Sequence, residues 1–128
     1  MRSEKSKKLL VIEDDTDIRE LLKVALSLEG YDVDTACNGK EAWELLVHMK
    51  SRPSVLVLDL MMPIMDGWQF LDKKNNSGQF KDLPTLIISA TSEKRMPIAQ
   101  GNTVILKKPI DLDEFLQKVQ ELSEESAQ

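Results

Sequence analysis

The sequence predicts an α/β fold in which parallel strands alternate with helices that cover both faces of one sheet. Three observations support this prediction. Short, continuous apolar runs rich in β-branched residues recur along the chain, as is typical of strands buried on both faces of a parallel sheet. Segments with a helical spacing of apolar residues lie between these runs. The length of 128 residues fits one domain, so the connections should be right-handed crossovers around one sheet.

Five segments have the pattern expected of strands. Four are continuous apolar runs, and one alternates apolar and polar residues, which is typical of a half-exposed edge strand. The continuous runs are 9–12, 55–58, 86–88 and 104–106, and the alternating segment is 31–36. We therefore expect five strands, with segment 31–36 at an edge of the sheet.

Four segments show a clear helical spacing, and each has a start or stop signal. These signals are Gly30 after the first helix, Asn38 with Glu41 before the second, Asp66 before the third, and Asp111 with Glu114 before the last. The segment 93–101 contains Pro97 and offers little apolar surface. We expect a short or irregular helix there, which would be the fourth in chain order.

The charge balance argues against a nucleic-acid partner. The chain has 22 acidic and 17 basic residues, a formal charge of -5, whereas nucleic-acid binding requires a basic surface. Several of the basic residues lie in 1–7, which we interpret as an N-terminal extension. The domain should span 8–123, and 124–128 should form a C-terminal tail.

No segment is suited to crossing or entering a membrane. The longest apolar stretch, 55–65, is interrupted by Asp59 and Pro63 and falls short of the roughly 20 residues that a bilayer requires. The apolar run 9–12 is too short for a signal peptide. We therefore expect a cytoplasmic protein. Its single cysteine, Cys37, is interpreted as a small core residue.

Polar residues follow four of the predicted strands directly. They are Glu13 and Asp14 after the first, Asp59 after the third, Ser89 after the fourth, and Lys107 with Lys108 after the fifth. The carboxyl ends of parallel strands share one edge of the sheet, which is where such folds bind ligands. We therefore expect these residues to form one site.

Three carboxylates at one site imply a bound cation. Glu13, Asp14 and Asp59 would otherwise repel one another and raise each other's pKa. Oxygen ligands favour Mg²⁺, and Mn²⁺ would also suit them. With Lys108, the divalent ion would bring the site to neutrality, so that a phosphoryl group could enter. Asp59 is the candidate nucleophile, because a carboxylate can form an aspartyl phosphate.

Four motifs resemble those of the receiver domain of response regulators in bacterial two-component signalling, a CheY-like domain. They are LLVIEDD at 9–15, LVLDLMMP with MDG at 56–67, ISA at 88–90, and KKP at 107–109. The resemblance covers about residues 8–123. It implies a flavodoxin-like, doubly wound five-stranded sheet of order 2-1-3-4-5.

The resemblance also implies roles for individual residues. Asp59 would accept the phosphoryl group, Asp14 would bind Mg²⁺ directly, and Glu13 would act through a metal-bound water. The backbone carbonyl of Met61 would complete the metal ligands. Lys108 and the hydroxyl of Ser89 would contact the phosphoryl oxygens.

Further implications concern regulation and partners. Met61 and Thr91 occupy positions that influence the lifetime of the phosphoryl group, and the Lys108–Pro109 bond resembles a junction that is often cis. The partners would be a histidine kinase or a histidine phosphotransfer protein and a downstream protein target. The chain would be a phosphoacceptor that assists its own phosphorylation and dephosphorylation, not a conventional enzyme.

Two features depart from the family pattern. Ile105 stands where many members have an aromatic switch residue, and the interval between Ser89 and Lys108 is short. In the family, the usual output face runs from helix 4 through strand 5 to helix 5. Both departures put this output face in question, but not the phosphorylation chemistry. They leave open a pseudo-receiver, which would bind partners without being phosphorylated.

Two further classes of protein share parts of this pattern. A haloacid-dehalogenase-like phosphatase also uses a nucleophilic Asp with Mg²⁺, but Met61 occupies the place of its usual second acid. A flavin carrier would need a neutral phosphate loop where this chain has Glu13-Asp14-Asp15. The leading interpretation is thus a stand-alone receiver domain phosphorylated on Asp59. His48 and the pairs Lys73-Lys74 and Lys94-Arg95 are interpreted as solvated surface residues.

Overall fold

The computed structural model describes residues 7–60, 66–89 and 103–126. Strands and helices alternate along these segments, with β4 and β5 flanking residues that lie outside them. The strands are β1 (Lys8–Ile12), β2 (Asp32–Ala36), β3 (Val55–Asp59), β4 (Thr85–Ser89) and β5 (Thr103–Lys107). The helices are α1 (Thr16–Leu28), α2 (Gly39–His48), α3 (Gly67–Asn75) and α4 (Leu112–Ser126).

The five strands form one parallel sheet of order β2-β1-β3-β4-β5, which confirms the predicted fold and strand order. β2 lies at one edge, as its alternating sequence predicts. β5 lies at the other edge and is only half-buried at Thr103, Val104 and Ile105, although its continuous apolar run predicts burial on both faces. Sequence periodicity describes the strand itself and does not reveal that it has only one neighbour.

Two hydrophobic layers cover the two faces of the sheet. Alternate residues of each strand point to opposite faces, so Leu10 and Ile12 pack with α2 and α3, whereas Leu9 and Val11 pack with α1 and α4. In the first layer, the indole of Trp43 meets the rings of Phe70 and Phe80 edge to face. The remaining buried members of the first layer are Ala36, Ala42, Leu46, Leu56, Leu58, Leu60, Leu71, Leu83 and Ile87.

The predicted capping residues begin their helices. Asn38 accepts a hydrogen bond from the backbone N–H of Glu41 at 2.8 Å. Asp66 and Gln69 form a reciprocal capping box at the start of α3. Asp111 accepts from the backbone N–H of Glu114 at 3.2 Å. These bonds satisfy N–H groups that a helix leaves unpaired at its first turn.

Two predictions about charged residues have different outcomes. His48 is exposed, as expected, and its ring Nδ1 lies 2.8 Å from the carbonyl oxygen of Glu44. The interpretation of Lys74 as a solvated residue is wrong, because Lys74 is only 2% exposed and its ammonium donates to the carbonyl oxygen of Lys81 at 3.0 Å. Burial lowers the pKa of Lys74. Its neighbour Lys73 is exposed and lies over the ring of Trp43.

Contacts and helical structure are present at both ends of the predicted domain. Lys7, assigned to the extension, has its carbonyl bonded to the N–H of Asp32 and its ammonium 3.1 Å from the carbonyl oxygen of Ser123. Helix α4 continues through Ser126, so part of the predicted tail at 124–128 is helical. The expected short helix at 93–101 and the pair Lys94-Arg95 lie outside the described residues.

Candidate functional site

The carboxyl ends of four strands bring the predicted site residues to one edge of the sheet. Glu13 follows β1, Asp59 ends β3, Ser89 ends β4 and Lys108 follows β5. The register aligns these ends, because Asp59 pairs with Ile88 in the neighbouring strand. Ligand oxygens of Glu13, Asp14 and Asp59 all lie within 4.8 Å of one another. The predicted convergence of the three carboxylates is therefore present.

Glu13 is a buried carboxylate with an incomplete set of hydrogen bonds. It is 1% exposed, and its Oε2 accepts from the backbone N–H of Asp15 at 3.1 Å. Its Oε1 is buried and has no hydrogen-bond partner among the residues that the structure describes. Burial, reinforced by the neighbouring carboxylate of Asp59, raises the pKa of Glu13 to about 8, while the hydrogen bond from the Asp15 N–H and, to a smaller extent, Lys108 act in the opposite direction.

Lys108 supplies a positive charge next to the candidate nucleophile. Its ammonium lies 3.6 Å from Oδ2 of Asp59, which is 3% exposed. The backbone N–H of Lys108 donates to the carbonyl oxygen of Ser89 at 2.9 Å, so β4 positions the lysine. Ser89 is itself buried at this edge. The Lys108–Pro109 bond is cis, as the family resemblance implies.

The start of α3 packs directly against the end of β3. The backbone N–H of Gly67 donates to the carbonyl oxygen of Leu60 at 2.9 Å. A Cβ atom at Gly67 would lie 2.4 Å from the Cα of Leu60 and 2.8 Å from the carbonyl oxygen of Asp59. Only glycine therefore fits here without moving the backbone that carries Asp59. The sequence contains this glycine in its MDG motif but does not reveal the atoms that it meets.

Arg19 is a residue at this edge that the sequence interpretation did not single out. Its guanidinium Nη1 donates to the carbonyl oxygens of Glu13 at 2.9 Å and Asp14 at 3.4 Å. Its Nη2 lies 3.5 Å from the hydroxyl oxygen of Thr16. In the sequence, Arg19 resembles any solvated cation on the polar face of an amphipathic helix, so no signal distinguishes it.

The donor set of the site fits a hard divalent cation. Three carboxylates within 4.8 Å repel one another unless a cation compensates them, and the buried Oε1 of Glu13 offers an oxygen that no described group satisfies. Mg²⁺ prefers oxygen ligands of this kind. Asp14 is exposed and Asp59 is buried, so the cluster is open to solvent on one side.

The remaining predicted site residues are placed only in part. Ile105 is half-buried on β5 and packs against the layer formed with α2 and α3. Met61 and Thr91 lie outside the described residues, so their predicted roles are not tested by the geometry. Cys37 is a half-buried free thiol. Within residues 7–60, 66–89 and 103–126, no helix is long and apolar enough to cross a membrane.

The fold and the site together consist of a doubly wound parallel sheet with an acidic cluster and a lysine at its carboxyl edge. The family model of the response regulator receiver domain matches residues 9–120. The chain therefore belongs to the response regulator receiver domain family of two-component signalling.

Individual relatives agree with this assignment. Response regulator MprA of Mycobacterium ulcerans is 38% identical over 120 residues, which are 91% of this chain and 50% of that protein. Chemotaxis response regulator CheY4 of Vibrio cholerae superposes with a TM-score of 0.81 at 30% identity, covering 92% of this chain and 99% of that one. The Francisella response regulator 1452 receiver domain gives a TM-score of 0.82 at 30% identity, covering 94% and 99%. The chain spans about half the length of the curated relatives it matches.

Proposed function

We propose that this domain accepts a phosphoryl group on Asp59 in a Mg²⁺-dependent reaction and thereby changes its contacts with other proteins. The observation that carries the proposal is the placement of Asp59, which lies in a three-carboxylate cluster and 3.6 Å from the ammonium of Lys108. A single acid after a strand would be an ordinary turn or capping residue. A cluster of carboxylates beside a lysine is suited to phosphoryl transfer.

The proposed transfer uses the side chains at the sheet edge. A carboxylate oxygen of Asp59 attacks the phosphorus, forming an O–P bond while the P–N bond of a phosphohistidine donor breaks and the leaving nitrogen takes up a proton. Lys108 balances negative charge on the phosphoryl oxygens, and the hydroxyl of Ser89 donates a hydrogen bond to one of them. Asp14 and Asp59, with the carbonyl of Met61, would hold Mg²⁺ directly, and Glu13 would act through a metal-bound water. The bound ion supplies charge neutralisation at the phosphoryl oxygens.

An apolar groove beside the site supports a protein as the phosphodonor. The groove has a volume of about 600 Å³ and is lined by Ile18, Leu21 and Leu22 of α1, by residues 108–110 and by Leu112. Leu21 is 57% exposed, although it is apolar. Such a surface is typical of protein contacts. A histidine kinase or histidine phosphotransfer protein is the partner that we propose on the donor side, with a downstream protein on the output side.

The setting of the domain is also part of the proposal. We propose a cytoplasmic location and a role as a phosphoacceptor without separate enzymatic turnover. The expectation of no nucleic-acid partner applies to this domain alone, because the curated relatives are about twice as long.

The experiment is phosphorylation by a small donor. Incubation with phosphoramidate and Mg²⁺ should add one phosphoryl mass to the intact protein, and Asp59→Asn should abolish this addition. Asp72→Asn removes an exposed acid from α3 and should be labelled like the unchanged protein. Chelation of the metal should greatly slow labelling.

Three outcomes would contradict the proposal. Equal labelling of the Asp59→Asn variant would assign the phosphoryl group elsewhere. Absence of labelling in the unchanged protein, with partner affinity unaffected by donor and metal, would favour a pseudo-receiver. The aliphatic Ile105, at the position of the aromatic switch residue, is the feature that supports this alternative. Steady hydrolysis of a phosphomonoester that depends on Asp59 would instead indicate a phosphatase.

A further inference from the structure

We propose that Arg19 is a positioning residue for the metal-binding carboxylates, acting through the backbone of the loop that carries them. This inference rests on the proposed Mg²⁺ site. Arg19 lies in the first turns of α1, and its described hydrogen bonds go to main-chain carbonyls and to a hydroxyl. Through these described bonds, Arg19 therefore contacts the backbone of this loop and not its carboxylate groups.

The guanidinium ties three points of one short loop together. Its Nη1 donates to the carbonyl oxygens of Glu13 and Asp14, and its Nη2 lies within hydrogen-bonding distance of Thr16. The planar fork of arginine can hold several acceptors in a fixed arrangement, which a lysine ammonium on a flexible stem cannot reproduce. Arg19 therefore fixes the peptide units on both sides of the Cα of Asp14.

Among the described bonds of this loop, the carbonyl oxygen of Asp14 is held by Arg19. The backbone N–H of Glu13 donates to the carbonyl oxygen of Ala36 at 3.0 Å, which holds Glu13 to β2. Asp15 is held by two bonds, because its side chain accepts from the N–H of Ile18 at 3.0 Å and its own N–H donates to Oε2 of Glu13 at 3.1 Å. Asp14 lies between these anchors with an exposed side chain, and the described contact of its carbonyl oxygen comes from Arg19.

The direction of these hydrogen bonds has a consequence for the charge of the site. The guanidinium directs its donors to carbonyl oxygens, so these bonds leave the carboxylate oxygens available to a cation. Residues that orient metal ligands without binding the metal typically contribute 10- to 100-fold to metal affinity. We expect the loss of Arg19 to weaken Mg²⁺ binding by about 10-fold or more.

A purely electrostatic role predicts the opposite sign. Arg19 carries a positive charge near a cation site, and removing a like charge should tighten Mg²⁺ binding. The sign of the change therefore separates positioning from charge. A conservative pair sharpens the distinction, because Arg19→Lys retains the charge and Arg19→Gln removes it.

The test is a Mg²⁺ titration of the unphosphorylated protein followed by amide NMR, with the melting temperature measured in parallel. Positioning predicts that Arg19→Lys and Arg19→Gln both bind Mg²⁺ about 10-fold more weakly, or worse, with little change in melting temperature. Two control variants should retain the affinity of the unchanged protein to within about twofold. Lys23→Ala removes a charge one turn further along α1, about 6 Å of helical rise away. Arg52→Ala removes a similar arginine-to-carbonyl bond, to Gln79, which is 3.2 Å long.

Each outcome decides the inference. Unchanged affinity in both Arg19 variants would overturn it, as would tighter binding in Arg19→Gln with normal binding in Arg19→Lys. Equal weakening in the Lys23 or Arg52 variants would overturn it too, because the effect would not be specific to the loop. If the unchanged protein binds no Mg²⁺ in the same titration, the proposed metal site fails and the inference fails with it. If the unchanged protein and both Arg19 variants bind Mg²⁺ equally well, the inference about Arg19 fails but the proposed metal site stands.

Discussion

Replacing Gly67 with alanine should both destabilise the domain and impair phosphorylation of Asp59. A Cβ atom would lie 2.4 Å from the Cα of Leu60 and 2.8 Å from the carbonyl oxygen of Asp59. Carbon atoms pack best at about 3.5–4.0 Å, so one of the two backbone segments has to move by about 1 Å. Overpacking of this kind costs about 1–3 kcal/mol, and the backbone origin of the contacts places the cost at the upper end.

A smaller effect on the unfolded chain acts in the opposite direction. Alanine restricts the unfolded chain more than glycine does, which returns about 0.4–1 kcal/mol. The net loss is then about 2 kcal/mol, or a melting temperature lower by about 6–10 °C for a domain of this size. A displacement of about 1 Å at a reacting group can cost up to about 100-fold in rate, so we expect phosphorylation at least about 10-fold slower.

Gly78 provides a matched control for the same substitution. A Cβ atom there would meet nothing within 4 Å, so Gly78→Ala should leave the melting temperature and the phosphorylation rate unchanged, or raise the former slightly. Thermal unfolding followed by circular dichroism and the rate of labelling by phosphoramidate measure the two effects. The reasoning is refuted if Gly67→Ala and Gly78→Ala behave alike in both measurements.

Two further predictions concern buried charged residues. Protonated Glu13 contributes stability that is complete below its ordinary pKa and is lost as pH rises through about 8. In the absence of metal, Glu13→Gln should therefore nearly match the free energy of unfolding of the unchanged protein at pH 5. Above pH 8, the free energy of unfolding of Glu13→Gln should be higher by a few kcal/mol. Melting curves in a chelator at both pH values test this, and a difference that does not vary with pH contradicts it. Lys74→Ala should cost about 2–4 kcal/mol, because it removes a buried side chain and leaves the carbonyl of Lys81 without its hydrogen bond. Urea unfolding measures the loss, and an unchanged midpoint would show that the buried ammonium contributes nothing.

The sequence predicts the strands well because buried parallel strands leave a local signature. All five predicted strands are present, and no strand end differs from its predicted position by more than one residue. The convergence of Glu13, Asp14 and Asp59 was predictable for a related reason. Parallel strands place their carboxyl ends at one edge of the sheet. Once the strands are predicted, the residues that follow them are therefore expected to lie close together, even though they are distant in sequence.

Other features depend on contacts between distant segments and could not be predicted. Lys74 looks like half of a solvated lysine pair, and only the return of the chain at Lys81 shows why it is buried. Arg19 has the sequence context of an ordinary surface cation, and its role depends on the path of the loop before α1. The half-buried state of β5 follows from its place at the sheet edge, which the family resemblance implies but the continuous apolar run of β5 does not indicate.

The sheet keeps the two hydrophobic layers apart, and this separation bears on how the domain can change over time. Among the described residues, no buried side chain belongs to both layers. Substitutions at distant sites without shared contacts have nearly additive effects on stability, so a change on the outer surface of one layer needs little compensation in the other. The groove beside Lys108 belongs to the layer of α1 and α4. Exposed residues of the groove such as Leu21 can therefore change, and partner choice with them, without disturbing the aromatic cluster on the other face of the sheet.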